Sequence, residues 1–242
     1  YYGDRIYLFD VENAELAGAK EVTAAHELLH AQYARLNIFE RPKVDAMIKK
    51  AYQKVKNDPE ITKAMEYYRE AEPGAELDEL HSIIGTTIGE LDSDLEQYYA
   101  RYFTDRASIV AKNQAYTAVF TRVNTRAEAL QSKLQSAAKQ IKQDVEAYQS
   151  DLSQINADIN SFNERARSGE FSSQADFTVA RSALQRRISA INARQSSLNS
   201  RIKAYNDDVV TLKSLAVKAD QLNQSINGVA APAGVNSGQS AQ

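Results

Sequence analysis

The chain reads as mainly α-helical and falls into two parts of unlike composition. A small α(+β) unit is expected over residues 1–104, followed by a long antiparallel coiled-coil helical hairpin over 105–227 and a disordered tail over 228–242. Three observations predict this. All three histidines, both methionines and the prolines Pro42, Pro59 and Pro73 precede residue 105. After it the composition narrows to Ala, Gln, Ser, Asn, Lys, Arg and Asp, with apolar residues at alternating intervals of three and four. From Gly228 onward the Ala, Pro, Gly, Ser and Gln residues have almost nothing to bury.

The elements follow in order. Arg5-Ile-Tyr-Leu-Phe-Asp-Val11 alternates and is rich in aromatic and β-branched residues, which predicts a strand. A helix is expected from Glu21 to Leu36. Two more cover Lys43 to Lys56 and Glu60 to Glu70, separated at Asn57-Asp-Pro59. Pro73-Gly74 breaks the chain, Ala75 to Ile88 forms another helix, and Ser93 to Phe103 leads into the long arms. The first arm carries Tyr116, Phe120, Val123, Ala127, Leu130, Leu134, Ala137 and Ile141, then, after a slip of register, Val145, Tyr148, Leu152, Ile155, Ile159 and Phe162. The second carries Phe177, Leu184, Ile188, Ile191, Leu198, Ile202, Tyr205, Val209, Leu212, Ala219, Leu222 and Ile226. Arg167 to Asp176, with a glycine and several capping residues, lies between them and favours a hairpin over a continuous rod paired with another chain. At about 1.5 Å per residue, arms of roughly 50 residues reach about 75 Å.

Composition narrows the function classes. The chain has 242 residues and a formal charge of −3, so it shows no basic footprint for nucleic acid. It has no cysteine, which excludes disulfides and thiolate ligands and leaves the compartment open. No run of about 18 apolar residues is present, so a membrane is expected only through a segment upstream of Tyr1. Because the sequence opens on Tyr1 and not on Met, a processed or truncated chain is expected, with a signal peptide or anchor lost upstream.

The chemistry concentrates in Thr23-Ala-Ala-His26-Glu27-Leu-Leu-His30. On a helix, positions i and i+4 share one face, so His26 and His30 can offer two imidazole nitrogens to one metal at about 2.0–2.1 Å. Glu27 follows directly, where its carboxylate can take a proton from a metal-activated water as that water attacks a carbonyl. An ordinary amphipathic helix is the plainer account. Against it stand the small and apolar neighbours Val22, Ala24, Ala25, Leu28, Leu29 and Ala31, which suit the helix to burial, where unpaired imidazoles are costly.

His26-Glu27-Leu28-Leu29-His30 resembles the H-E-x-x-H helix of zinc metallopeptidases, the zincins. The resemblance implies a zincin-like domain, a bound Zn2+, a peptide or protein substrate, and an edge strand before the helix, which Arg5 to Val11 is placed to supply. The metzincin extension is absent, because Leu36 stands where a third histidine would be. That departure points to the gluzincin arrangement, in which a distant helix contributes a glutamate. Glu79 is the favoured third ligand, His81 the second choice and Glu90, which forms E-x-x-x-D with Asp94, the third. Glu79 and His81 are two apart on a helix and face differently, so with Glu79 on the metal His81 is left to steady an oxyanion. Asp78, Ser82 and Asp92 are candidates to orient the imidazoles. Tyr98, Tyr99 and Tyr102 fit a core better than a site. H-E-L-L-H together with Glu79-Leu-His-Ser-Ile-Ile-Gly-Thr86 is also similar to a loosely defined group of bacterial, often membrane-anchored H-E-x-x-H proteins, a likeness that carries no substrate.

Two functions from different classes are therefore expected to compete. One is a zinc metallopeptidase with Glu27 as general base. The other is a helical scaffold or interaction protein with a degenerate or structural metal site. The hairpin suits either, as a docking arm for a protein partner, a self-association surface or a brace.

Overall fold

The computed structural model describes residues 6, 8 and 10–226. Among them are seven α-helices and no strand: α1 (Ala19–Ala34), α2 (Arg41–Val55), α3 (Pro59–Ala71), α4 (Glu76–Thr87), α5 (Ser93–Tyr99), α6 (Arg106–Ser168) and α7 (Gln174–Ile226). The strand expected over Arg5 to Val11 falls partly outside the described residues, at Arg5, Tyr7 and Phe9. Ile6, Leu8, Asp10 and Val11 carry no regular structure. The tail expected from Gly228 lies wholly outside them.

The chain divides into two compact units. The first joins the residues up to Thr125 with those from Val217 onward. It therefore takes in the start of α6 and the end of α7, where Val110, Tyr116, Val123, Leu222 and Ile226 are buried.

Local chemistry fixes the helix ends. Asp58 caps α3 by accepting from the backbone N–H groups of Glu60 and Ile61, and Pro59 occupies the first turn, where its missing N–H is harmless. Asp105 caps α6 by accepting from the N–H of Ser108 at 3.0 Å. Helix α4 is the centre of this unit. Its residues from Glu79 through Thr86 are all buried, so it is enclosed on every side and not amphipathic. Leu29 and Tyr33 of α1, Val44 and Ile48 of α2, Ile61 and Met65 of α3 and Tyr98 and Tyr99 of α5 share one core with Leu80, Ile83 and Ile84 of α4.

Gly85 permits that closeness. A methyl group there would stand 2.4 Å from Cδ1 of Leu29 and 2.8 Å from Cε1 of Tyr99, two side chains with no exposure and no room to retreat. The glycine thus lets α4 lie against α1, the helix that carries His26 and His30.

Arg106, in the first turn of α6, ties off the far end of α4. Its guanidinium donates to the carbonyl oxygens of Gly85 (3.3 Å), Ile88 (2.6 Å) and Gly89 (2.8 Å), and grips Glu96 at 2.6 and 2.9 Å. A helix C-terminus leaves carbonyls without partners, and one buried fork serves several of them here. Arg106→Ala is expected to lower stability by about 3 kcal/mol, because those carbonyls lose their donors while shielded from water. Arg106→Lys should restore only part of it, since an ammonium cannot match the fork. A urea midpoint for Arg106→Ala equal to the parent's would remove this account.

The second unit, Arg126–Ala216, is built from the remainder of α6 and α7. The helices pack antiparallel, as a ladder of ion pairs shows: Asp158 with Arg187, Asp151 with Arg194 and Asp144 with Arg201. Each step of seven down one helix meets a step of seven up the other, so the ladder repeats on the heptad and fixes the register. Every expected seam position of α6 in this unit, from Ala127 to Phe162, is buried or half-buried. The seam of α7 needs correction. Leu215, missing from the expected series, is buried, whereas Ile188, included in it, is 38% exposed. Gly169 ends α6 with φ of +69°, a left-handed conformation suited to glycine, and Phe162, Phe171 and Phe177 cluster at the turn. Among the described residues no helix is long and apolar enough to cross a membrane.

Candidate metal centre

One turn of α1 separates His26 from His30, and their Nε2 atoms stand 3.0 Å apart. Helix α4 delivers Glu79 against both: Oε2 lies 3.8 Å from Nε2 of His26, and Oε1 lies 3.6 Å from Nε2 of His30. The three side chains form a group able to hold a metal ion. Four donors at about 2.0–2.1 Å around zinc stand roughly 3.3 Å from one another, and the observed separations bracket that spacing.

Two further features test the fit. The facing Nε2 atoms cannot both present lone pairs to each other without a proton or a cation between them. Oε2 of Glu79 is buried and has no hydrogen-bond partner among the described residues, although a buried carboxyl oxygen normally has one. A cation held by all three groups would resolve both. The donor set, two imidazoles and a carboxylate, suits zinc.

His30 is oriented from behind. Its Nδ1–H donates to Oδ1 of Asp78 at 2.8 Å, which fixes the tautomer that leaves Nε2 with its lone pair forward. Burial alone would lower the pKa of His30. The Asp78 hydrogen bond and the charges of Glu79, Asp78 and Glu27 outweigh it, so the net shift is upward. His26 has no such support from behind: its Nδ1 is buried without a partner among the described residues, and its polar contacts are on the Nε2 side, with His30 and Glu79.

The cluster forms part of the wall of a cavity of about 370 Å³, completed by Glu27, Tyr68, Glu72, Ala75 and Asp78. Glu27 is half-buried there, between the two histidines in sequence. Tyr68, from the last turns of α3, is 9% exposed, and burial first, then the charge of Glu79, pushes its hydroxyl well above the ordinary tyrosine range. Tyr68 and Glu72 were not expected here. They come from the end of α3, which carries no motif, and only the short Pro73-Gly74 break between α3 and α4 hints that the two helix ends meet.

The other expected residues lie elsewhere. His81 does not line the cavity. It is fully buried, its Nε2 shares a hydrogen bond of 2.9 Å with the Tyr98 hydroxyl, and its ring packs among Tyr33, Tyr98 and Tyr99. The oxyanion role expected of it is therefore withdrawn: two positions beyond Glu79 a helical side chain faces another way. Glu90 is exposed in the link after α4, outside the cavity. Asp92 pairs at the surface with Lys50 (3.0 Å) and Lys54. Ser82 is buried, its hydroxyl without a partner among the described residues, and does not reach the cavity. Tyr99 donates to the carbonyl of His81 at 2.7 Å, so it serves the core.

Compared with family models, with curated proteins and with solved structures, the chain finds no match in any of the three, and the site is read from its own geometry.

Proposed function

We propose that this chain is a zinc-dependent peptidase of gluzincin type, its small helical unit a pared-down zincin, with His26, His30 and Glu79 holding the metal and Glu27 as general base. The observation that carries the reading is the convergence of two imidazole nitrogens and a buried, unpartnered carboxyl oxygen on one cavity wall shared by Glu27. Zinc bound at such a site lowers the pKa of a coordinated water toward neutrality and polarises a carbonyl.

The remaining work belongs to side chains. Asp78 holds His30 in its productive tautomer. Glu27, half-exposed to the cavity, can accept a proton from the attacking water and return it to the leaving amine. Tyr68 keeps its proton at neutral pH, so its hydroxyl can donate to a developing oxyanion, the task the sequence had pointed toward His81 for.

The test is Glu27→Gln. It should bind zinc as the parent does and cleave peptides about 10²–10⁴-fold more slowly, the usual contribution of a general base. Equal rates for the two proteins would remove Glu27 from the chemistry. Stoichiometric zinc in the parent without turnover of any peptide would instead favour a helical scaffold with a structural metal.

A further inference from the structure

We infer that the loop between α1 and α2, with the outer face of α2, docks on an anionic lipid surface. Ile38 and Phe39 enter the headgroup boundary, and the lysines of α2 lie over the phosphates. This contact depends neither on the metal centre nor on the peptidase reading.

Ile38 and Phe39 are the two most exposed large apolar side chains among the described residues, at 81% and 74%, and they are adjacent. Single exposed apolar residues are ordinary. This pair is held out by a bonded turn. Oδ1 of Asn37 accepts from the backbone N–H groups of Phe39 (2.9 Å) and Glu40 (3.0 Å), and Nδ2 of Asn37 donates to Oε2 of Glu40 at 2.8 Å.

Charge points the same way. The chain carries a formal charge of −3, yet residues 41–56 hold Arg41, Lys43, Lys49, Lys50, Lys54 and Lys56 against one acid, Asp45. Helix α2 buries Val44, Ile48 and Ala51, and the five lysines are all exposed. The nearby acids are few and engaged. Asp45 accepts from the Tyr33 hydroxyl at 2.8 Å, Glu40 faces Arg101 at 3.6 Å, and Lys50 and Lys54 share Asp92. Lys43 and Lys49 form no ion pair with any described residue.

An apolar wedge bordered by lysines matches acyl chains beneath anionic headgroups, where the wedge enters and the ammonium groups stay among the phosphates. A protein pocket would take the wedge without calling for lysines along the whole helix. Nucleic acid would take the lysines and leave the wedge in water.

The experiment sediments the full chain with vesicles of phosphatidylcholine, alone or mixed with phosphatidylserine. Binding to the mixed vesicles only, released by added salt, is the expected result. Ile38→Ser combined with Phe39→Ser should weaken it at least about tenfold. Lys43→Gln combined with Lys49→Gln should weaken it about fivefold for each lysine at low salt. Both variants replace exposed side chains and should unfold at the parent's temperature. Val179→Ser, which removes an apolar side chain of similar exposure on α7, should bind as the parent does. No binding to the mixed vesicles, binding indifferent to lipid charge, or full binding by either paired variant overturns the lipid contact. Retention on double-stranded DNA without vesicle binding would overturn it in favour of nucleic acid. A dimer dissolved by the serine pair, again without vesicle binding, would overturn it in favour of a second copy of the chain.

Discussion

If Glu79 is a zinc donor as proposed, Glu79→Gln is expected to weaken zinc binding by at least about a hundredfold and to leave the metal-free protein folded. Outer groups that merely orient a ligand are worth about 10–100-fold in metal affinity, so a direct donor sets a higher floor. The glutamine keeps the volume of the side chain inside the closed packing of α4. It also removes a buried carboxyl group whose Oε2 has no hydrogen-bond partner among the described residues, so the metal-free protein loses only the attraction between that charge and the imidazoles. A chelator-competition titration measures the affinity directly. Thermal unfolding gives a second view: zinc at 100 times its dissociation constant stabilises the native state by about 2.7 kcal/mol, and a hundredfold loss of affinity takes away most of that at the same zinc concentration. The parent should therefore melt lower when chelator is added, and the variant should not respond. A variant that binds zinc as tightly as the parent would show that Glu79 is not a donor.

The helices were legible because their signals are local. Asp58-Pro59 and Pro73-Gly74 mark the ends of α3, and the intervals of three and four mark the seam of α6. The seam of α7 was harder: Leu215 and Ile188 sit where either of two adjacent phases satisfies the pattern, and only the partner helix chooses between them. At the site, spacing foretold proximity. His26 and His30 share a face because they are four apart, and Glu79 was the favoured acid on the only other segment with a histidine. What spacing could not tell was which neighbours enclose them. Tyr68 and Glu72 reach the cavity through the packing of α3 on α4, and Arg106 reaches the end of α4 from the first turn of α6. An arginine that serves three carbonyls looks in sequence like any other arginine. His81 was misassigned for the opposite reason, since a histidine beside a motif draws attention that a core histidine does not merit.

That core position gives His81 its own expected result: acid destabilises the metal-free protein through it. Burial first, then the nearby His30 and His26, pushes its pKa down to about 3. A protonated ring would carry two N–H donors, and only Nε2 has an oxygen beside it, from Tyr98; Nδ1 is buried with no partner among the described residues. In the unfolded chain the same ring titrates near its ordinary value of about 6.5. As pH falls, the unfolded state therefore takes up the proton first. The stability conferred by neutral His81 is fully present above about pH 6.5 and is lost as pH falls toward 3, at close to tenfold in the folding equilibrium per pH unit, or roughly 2 kcal/mol by pH 5. His30 works in the other sense. Its folded pKa is raised, so its contribution is present at low pH and is lost as pH rises through that value. The opposing slopes make the parent's profile alone a poor witness, and His81→Gln separates them, because glutamine can still meet the Tyr98 hydroxyl but does not titrate. Urea midpoints in chelator from pH 8 to pH 4.5 should show the parent more stable than His81→Gln at the alkaline end, with the gap narrowing by about 2 kcal/mol by pH 5. A gap that stays constant across that range would mean the buried ring does not resist its proton, and the enclosed position of α4 would have to be reconsidered.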